Sequence, residues 1–235
     1  VSESARVMGQ DSWSTGVSMV DINQDGWMDI YVCQLGDYLD KQGRNELYIN
    51  QQNGTFKEEA ADYGLDLKGF STQATFFDYD RDGDLDMFQL NHSIRPSETI
   101  GDTSQRQKVD PLAGDKLMRN DNGQFVDVSQ VSGIISSRLG YGLSVLTGDL
   151  NKDGWPDLYI CNDFHEDDYL YLNQGDGTFK ESLQKMIGHT SRFSMGSDVA
   201  DVNQDGWLDL MSLDMKPEKE LILKTAESPE PYDVF

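Results

Sequence analysis

The chain has 235 residues, of which 42 are acidic and 19 are basic, so its formal net charge is −23 at pH 7. Such an acidic surface argues against binding of nucleic acid or anionic lipid, because both need cationic side chains, and no apolar run approaches the roughly 18 residues of a membrane-spanning helix. Aromatic residues make up 10% of the sequence, which together with regular apolar runs indicates a folded protein rather than a disordered acidic one.

A nine-residue acidic motif occurs four times, each time directly before a short apolar run. The copies, named turns 1 to 4 in chain order, are Asp21–Asp29, Asp78–Asp86, Asp149–Asp157 and Asp201–Asp209. Positions 1, 5 and 9 are always Asp, position 3 is Asp or Asn, and position 6 is always Gly. Asp, Asn and Gly favour tight turns, and short apolar runs between turn signals are typical of β-strands. Each copy therefore predicts a turn between two strands, A and B.

A second motif follows the first three turns. It spans Asn45–Phe56, Asp115–Phe125 and Asp168–Phe179, and each copy has Asn-Gly or Asp-Gly between two apolar runs. These dipeptides are strong hairpin signals, because Gly readily adopts a positive φ. The motif therefore predicts a hairpin of strands C and D in each unit.

Four short antiparallel strands, repeated at intervals of 52 to 71 residues, are typical of the blades of a β-propeller. The fold class predicted is all-β, with about three and a half blades present. The predicted segments are the end of a preceding blade (1–13), blade 1 (14–63), blade 2 (64–132), blade 3 (133–187), half of blade 4 (188–215) and a tail or linker (216–235). Closed propellers have about four to eight blades, so we expect the chain to be part of a larger propeller of around seven blades.

The oxygen-rich turns predict about four bound Ca²⁺ ions, one in each turn. Ca²⁺ accepts about six to eight oxygen ligands in a flexible shell, whereas zinc and copper prefer the His and Cys ligands that the turns lack. The side chains at positions 1, 3, 5 and 9 and the backbone carbonyl of position 7 are the predicted ligands. They are Asp21, Asn23, Asp25, Trp27 and Asp29 in turn 1; Asp78, Asp80, Asp82, Asp84 and Asp86 in turn 2; Asp149, Asn151, Asp153, Trp155 and Asp157 in turn 3; and Asp201, Asn203, Asp205, Trp207 and Asp209 in turn 4.

Two alternatives to a propeller calcium turn are less consistent with the sequence. Turns rich in Asp, Asn and Gly occur without metal, but four copies that keep three to four carboxylates within nine residues would repel themselves without a cation. An EF-hand needs a bidentate Glu at position 12, where this chain has Val32, Gln89, Ile160 and Ser212. Turn 2, which has Asp at position 3 as well, is expected to bind Ca²⁺ most tightly.

Two other residue types recur at equivalent positions. Trp27, Trp155 and Trp207 occupy position 7 of their turns; exposed indoles can stack on sugar rings, but packing of each on the neighbouring blade is the favoured interpretation. Cys33 and Cys161 lie in the B strands of blades 1 and 3. Since these blades are not adjacent, we predict free buried thiols rather than a disulfide.

The repeated units resemble FG-GAP or VCBS-type repeats, the calcium-binding propeller blades that also occur in integrin α-subunits. The segments Asp157–Phe164 and Asp168–Phe179, and Met195-Gly196 leading to Asp214–Glu218, are similar to bacterial proteins grouped with the ASPIC/UnbV family. The resemblance covers nearly all of the chain. It implies a secreted or surface-exposed protein, extracellular or associated with the bacterial outer membrane, that serves in binding or adhesion, and it names no ligand.

The face opposite the turns is the predicted site of ligand contact. In a propeller the B–C and D–A loops lie at the end of the blade away from the A–B and C–D turns, and long polar loops on a rigid scaffold frequently bind ligands. The candidate residues, beside a long loop at 92–114, are Asn91, His92, Asn162, Asp163 and His165. Ordinary surface is the alternative for both histidines.

The sequence contains no motif of a nucleophilic triad, a His metal pair or a phosphate loop. We therefore predict a non-enzymatic module, stabilised by calcium, whose opposite face contacts a glycan or a protein. One alternative is the propeller domain of a polysaccharide lyase with catalytic residues in the loop 91–114. Another is a structural subunit of a bacterial outer-membrane assembly.

Overall fold

A computed structural model of the chain describes residues 1–10, 12–94, 103–164 and 166–215. Its strands are β1 (Trp13–Val20), β2 (Asp29–Tyr38), β3 (Lys41–Gln42), β4 (Glu46–Asn50), β5 (Phe56–Glu58), β6 (Ser71–Phe77), β7 (Asp86–Asn91), β8 (Lys116–Asn120), β9 (Phe125–Asp127), β10 (Gly142–Gly148), β11 (Asp157–Asn162), β12 (Tyr169–Asn173), β13 (Phe179–Glu181), β14 (Ser194–Ala200) and β15 (Asp209–Asp214). Its helices are the one-turn α1 (Ser2–Ala5), α2 (Ala60–Tyr63) and α3 (Leu183–Met186), and a 3₁₀ helix at Thr103–Gln107. None of the described helices has the length and apolar character needed to cross a membrane.

The strands form antiparallel sheets in which neighbours in sequence are neighbours in space. Blades 1, 2 and 3 are the sheets β1-β2-β4-β5, β6-β7-β8-β9 and β10-β11-β12-β13, in the order of strands A to D. Blade 4 is the pair β14-β15, and β3 is a short addition to the end of β2. The prediction of an all-β partial propeller with four-stranded antiparallel blades is confirmed.

The apolar core lies between the blades. Strand B of blades 2 and 3 is buried at every residue, because a neighbouring sheet covers each face. Met87 packs with blade 1, whereas its neighbour Phe88 packs with blade 3. The strand D residues Phe125 and Phe179 pack against the preceding blade. A sheet buried on both faces requires a continuous apolar run rather than an alternating one, which explains the run that follows each turn.

Both cysteines belong to these interfaces. Cys33 and Cys161 are buried free thiols, as predicted. Burial raises the pKa of Cys33 to about 12, so this thiol stays protonated and unreactive at neutral pH.

Blades 1 and 4 each expose residues whose equivalents are buried between neighbouring blades elsewhere in the chain. Met211 of blade 4 is 60% exposed, whereas Phe88 and Tyr159, which hold the equivalent position in blades 2 and 3, are at most 2% exposed. At the other end, Val17 of blade 1 is 61% exposed, and its equivalent in blade 2, Ala74, is 3% exposed. The sheet surface that internal blades bury is therefore exposed to solvent on one face of blade 1 and on one face of blade 4.

Short helical turns are the main departure from the predicted fold. Helices α2 and α3 follow strand D of blades 1 and 3, and four residues are too few to show a helical period in the sequence. Helix α1 lies where the sequence predicted the end of a strand D. A strand D forms its hydrogen bonds with strand C of its own blade, as β5 does with β4, and residues 1–10 have no such partner in the described sheets. The predicted tail, 216–235, lies outside the described residues.

Substitution of Gly16 tests the contact between blades 1 and 2. A Cβ atom at Gly16 would lie 2.2 Å from the carbonyl oxygen of Thr72 in blade 2, whereas at Gly196, the equivalent position of blade 4, it would meet nothing within 4 Å. We expect Gly16→Ala to lower the free energy of unfolding by about 1–3 kcal/mol, as overpacking does, and the Tm by about 2–4 °C per kcal/mol. Thermal unfolding followed by circular dichroism measures both. Gly196→Ala is the matched control, and equal effects of the two would contradict the blade contact.

Candidate metal centres and the opposite face

All four Asp-rich turns have the same backbone conformation. The residue at position 4 has a φ between 56° and 62°, and the Gly at position 6 has a φ between 83° and 100°. The left-handed region is costly for residues with a Cβ atom, and Gly enters it without that cost. Position 4 bears this cost in every turn, whereas Gly avoids it at position 6, where φ exceeds the usual left-handed value of about 57°.

Backbone N–H groups fix the carboxylates within each turn. In turn 1, Asp21 accepts from the N–H groups of Asp25 and Gly26 at 3.0 and 2.8 Å, and Asp25 accepts from the N–H of Trp27 at 2.9 Å. The same three bonds recur in turns 2, 3 and 4, with N···O distances of 2.8–3.2 Å. The backbone of each turn thus fixes the carboxylates of positions 1 and 5, whereas three carboxylate oxygens converge within 4.8 Å, among the described residues, only for positions 1, 3 and 9 of turn 2.

The Asp at position 9 connects the turn to the rest of its blade. Asp29 is fully buried and accepts from the N–H of Ile22 inside the turn at 3.2 Å and from that of Asn50 at the end of strand C at 2.7 Å. Asp86 and Asp157 make the equivalent pairs of bonds in blades 2 and 3. In blade 4, Asp209 accepts from Val202. Position 9, a predicted ligand position, therefore also supports the sheet.

Turn 2 has the geometry and the unpartnered oxygens expected of a cation site. Asp78, Asp80 and Asp86 each present a carboxylate oxygen, and these oxygens lie within 4.8 Å of one another. Ligands across a Ca²⁺ ion are separated by up to about 5 Å, twice a Ca–O distance of about 2.3–2.6 Å. The Oδ1 atoms of Asp80 and Asp84 are buried and have no hydrogen-bond partner among the described residues. Since a buried oxygen without a partner is costly, these residues fit a bound hard cation.

Three carboxylates of turn 2, those of Asp80, Asp84 and Asp86, also have raised pKa values. Burial raises the pKa of Asp86 to about 7, and the charges of Asp80 and Asp84 add to the rise. The pKa values of Asp80 and Asp84 are themselves raised, first by burial and then by the charge of Asp82. In turn 3, burial raises the pKa of Asp157 to about 6. The protein alone thus disfavours the charged form, whereas a cation within the turn would favour it.

The other three turns carry a neutral amide where turn 2 has Asp80. The side-chain N–H of Asn23 donates to Asp25 at 3.4 Å, and Asn151 and Asn203 make the same bond in turns 3 and 4 at 2.8 and 3.1 Å. The amide therefore removes one charge and partly satisfies the carboxylate of position 5. Turn 2 keeps the most uncompensated charge.

Two of the candidate residues on the opposite face are interior. Asn91 and Asn162 are 1% and 0% exposed, and their side-chain N–H groups donate to the backbone carbonyls of Gly114 at 2.6 Å and Asp167 at 2.9 Å. Each amide thus holds the connection between strand B and strand C. Neither is accessible to a ligand in this structure.

The other candidates on this face border a row of aromatic rings. The His92 ring meets Tyr141 edge-on at a centroid distance of 5.4 Å, and Tyr141 meets Phe164 in the same way at 5.4 Å. Phe164 is 37% exposed and has a φ of 65°, and its N–H donates to Asp163 at 2.9 Å. Burial lowers the pKa of His92. His165 and part of the 92–114 loop lie outside the described residues.

Sequence reasoning missed a repeated bond at the start of strand C. Asp115 accepts from the backbone N–H of Asn91 at 2.8 Å, and Asp168 accepts from that of Asn162 at 2.8 Å. In blade 1 the acceptor is the amide oxygen of Asn45, again at 2.8 Å. Burial raises the pKa of Asp115 to about 8. The signal was present in the sequence, since Asn or Asp opens the second motif in every copy.

The substitution Asp115→Asn tests this bond by giving blade 2 the amide that blade 1 has. The folded-state pKa of Asp115 lies above the value of about 3.9 for an unfolded chain. The contribution of the protonated Asp115 side chain to the free energy of unfolding is thus fully present below pH 4. It is lost as pH rises towards 8, by at most about 1.4 kcal/mol per pH unit. We expect the stability of the variant, relative to wild type, to increase from pH 4 to pH 8 in urea unfolding. The exposed Asp40→Asn variant is the control, and a pH-independent difference for Asp115→Asn would contradict the assignment.

Comparison with known proteins identifies the repeat. The family model described as an FG-GAP-like repeat matches residues 35–88, 109–160 and 149–212. Integrin alpha-3 of Mus musculus is 21% identical over 218 residues, which are 85% of this chain and 20% of that protein. Integrin alpha-7 of Homo sapiens is 36% identical over 81 residues, which are 30% of this chain and 7% of that protein. The chain spans about a fifth or less of the length of these relatives.

One solved structure found by the comparison is described as showing specific recognition of non-reducing terminal N-acetylglucosamine by an Agrocybe aegerita lectin. It covers 88% of this chain and 49% of its own, with a TM-score of 0.47 and 16% sequence identity. The family model, by contrast, matches well over half of the chain, in the segments that contain turns 2 to 4. The chain belongs to the family of FG-GAP-like repeat proteins.

Proposed function

We propose that the chain is a non-enzymatic binding or adhesion module, extracellular or at a cell surface, that holds one Ca²⁺ ion in each Asp-rich turn and contacts a protein or glycan through the opposite face. Turn 2 carries the proposal, because three of its carboxylates converge within 4.8 Å and two of its buried oxygens lack a partner. Calcium binding is a general property of the FG-GAP repeats of integrin α-chains. The other turns repeat the same backbone and hydrogen bonds.

The proposed calcium ligands are the side chains at positions 1, 3, 5 and 9 and the backbone carbonyl of position 7 in each turn. Bound Ca²⁺ would supply charge neutralisation to carboxylates that otherwise repel one another. Because Asp29, Asp86 and Asp157 also accept from the end of strand C, order imposed on the turn extends to strands A, B and C. The ions therefore serve stability rather than a reaction.

A surface contact fits the opposite face better than an enclosed pocket. The cavity beside Arg106, Tyr169 and Leu183 measures about 40 Å³, which is room for a few water molecules. The exposed Phe164 ring, by contrast, stands on a left-handed residue that Asp163 holds in place, and strained residues cluster at ligand contacts. The lyase and outer-membrane-subunit alternatives stay predictions.

Metal content and chelation test the proposal directly. We expect dissociation constants on the order of 10⁻⁴–10⁻³ M, as in extracellular calcium modules, so protein dialysed against about 10 mM Ca²⁺ should bind close to four ions per chain above the dialysis buffer by elemental analysis. Removal of the ions with EGTA is expected to lower the Tm strongly, because the carboxylates lose their compensation, and Ca²⁺ but not Mg²⁺ is expected to restore it. Absence of bound Ca²⁺ together with an unchanged Tm would refute the calcium assignment.

The residue at position 3 tests the order of affinities. Asp80→Asn gives turn 2 the amide of the other turns, and Asn151→Asp gives turn 3 the carboxylate of turn 2. We expect the first change to weaken the tightest site by on the order of tenfold, or about 1.4 kcal/mol, and the second to create another tight site. Isothermal titration with Ca²⁺ measures both. An Asp80→Asn protein with an unchanged tightest site would place that site in another turn.

A further inference from the structure

The side chain at position 4 of each turn reaches the next turn along the chain. Gln24 of turn 1 donates from Nε2 to the carbonyl oxygen of Gly83 in turn 2 at 2.8 Å. The Arg81 guanidinium of turn 2 lies over the Trp155 ring of turn 3, with 5.1 Å from Cζ to the ring centroid. These contacts cross the blade interfaces at the edge where the turns lie.

Turns 3 and 4 are joined in the same way. The Nζ atom of Lys152 lies 4.0 Å from the ring centroid of Trp207. It also lies 3.3 Å from where a Cβ atom of Gly206 would be. Every neighbouring pair of turns is thus connected from position 4 of one turn to position 6 or 7 of the next.

The type of side chain at position 4 matches the residue that it reaches. Where position 7 of the next turn is Trp, position 4 is a cation, as in Arg81 and Lys152, and cation–π attraction holds the pair. Where position 7 is Asp84, position 4 is the neutral Gln24, which bonds to the backbone instead. In all three pairs, the side chain at position 4 is therefore of a type that can bind the residue it contacts in the next turn.

Both ends of each contact lie among the proposed metal ligands. Position 4 stands between ligand positions 3 and 5, and its φ near 60° is fixed by the turn. Position 7 is the residue whose carbonyl is a proposed ligand, and its N–H is held by the Asp of position 5, as in Trp155 and Trp207. A change of order in one turn therefore acts on the ligand residue of the next.

We propose that position 4 of each turn is a positioning residue for the metal site of the following turn, so that neighbouring calcium sites bind with positive coupling. The inference rests on the proposed function, since it assumes that the turns hold Ca²⁺. Coupling between sites is reciprocal, so each ion also stabilises the turn before it. One exposed cation–π contact changes an equilibrium by roughly two- to fivefold, which sets the expected size of the effect.

Lys152→Met is the decisive variant, because Met retains an unbranched stem and removes the cation. Tb³⁺, a Ca²⁺ analogue whose luminescence is sensitised by a nearby Trp, reports on a single turn in a full-length chain that keeps one Trp. With Trp13, Trp27 and Trp155 replaced by Phe, Trp207 reports on turn 4. We expect Lys152→Met to raise the dissociation constant of turn 4 by roughly two- to fivefold and Lys152→Arg to restore it.

The sign of the change separates positioning from simple electrostatics. Removal of a positive charge beside an acidic site would by itself tighten metal binding, so an equal or lower dissociation constant in Lys152→Met overturns the proposal. A chain that keeps Trp27 alone reports on turn 1, which is expected to be unaffected. Sensitised luminescence with an unchanged dissociation constant of turn 4 in Lys152→Met would refute the coupling and leave the proposed metal binding intact. Absence of sensitised luminescence from turns 1 and 4 would instead refute metal binding in these turns.

Discussion

Repulsion among carboxylates in the Asp-rich turns is the constraint on which the rest of the structure depends. Backbone N–H groups offset part of this repulsion, because the Asp residues at positions 1 and 5 accept three backbone hydrogen bonds in every turn. This arrangement requires positive φ at positions 4 and 6, and it leaves Asp80 and Asp84 with buried oxygens that no described donor reaches. The proposed Ca²⁺ ion would interact with the carboxylate oxygens that the backbone leaves without a donor, so each turn combines an ordered loop with negative charge that is available to a cation.

The buried strand after each turn transmits this constraint into the core. Strand β7 begins at Asp86, which accepts from the end of strand C, and ends at Asn91, whose N–H is bound by Asp115. All of its residues are buried between two neighbouring blades. Such a strand has no freedom to shift at one end alone, since each side chain is enclosed by packed neighbours. Strand β7 thus links turn 2, the packing against both neighbouring blades and the connection between strands B and C, so that these parts are held rigidly together.

The parts of the fold that depend on local sequence were predictable, and those that depend on contacts between blades were not. The turns and hairpins follow from Asp, Asn and Gly at fixed spacing, because these residues determine the backbone locally. Asn91 and Asn162 were placed at the correct end of the blade, but the inward direction of their side chains depends on the carbonyls of Gly114 and Asp167. The stacking of Lys152 on Trp207 joins two blades. The recurrence of Trp at position 7 indicated a contact with the neighbouring blade, but spacing along one chain does not identify the partner residue.

In the proposed function, the separation of the two faces would give calcium an indirect role in recognition. The turns lie at one end of each blade, and the aromatic row ending at Phe164 lies at the other, beyond strand β11. Phe164 keeps its left-handed conformation through the Asp163 contact, and strain of this kind persists when the surroundings are rigid. Rigidity here comes from a strand whose first residue, Asp157, is a proposed calcium ligand. In the proposed function, an ion bound at the far end of the blade would thus preserve the shape of a surface that it does not touch.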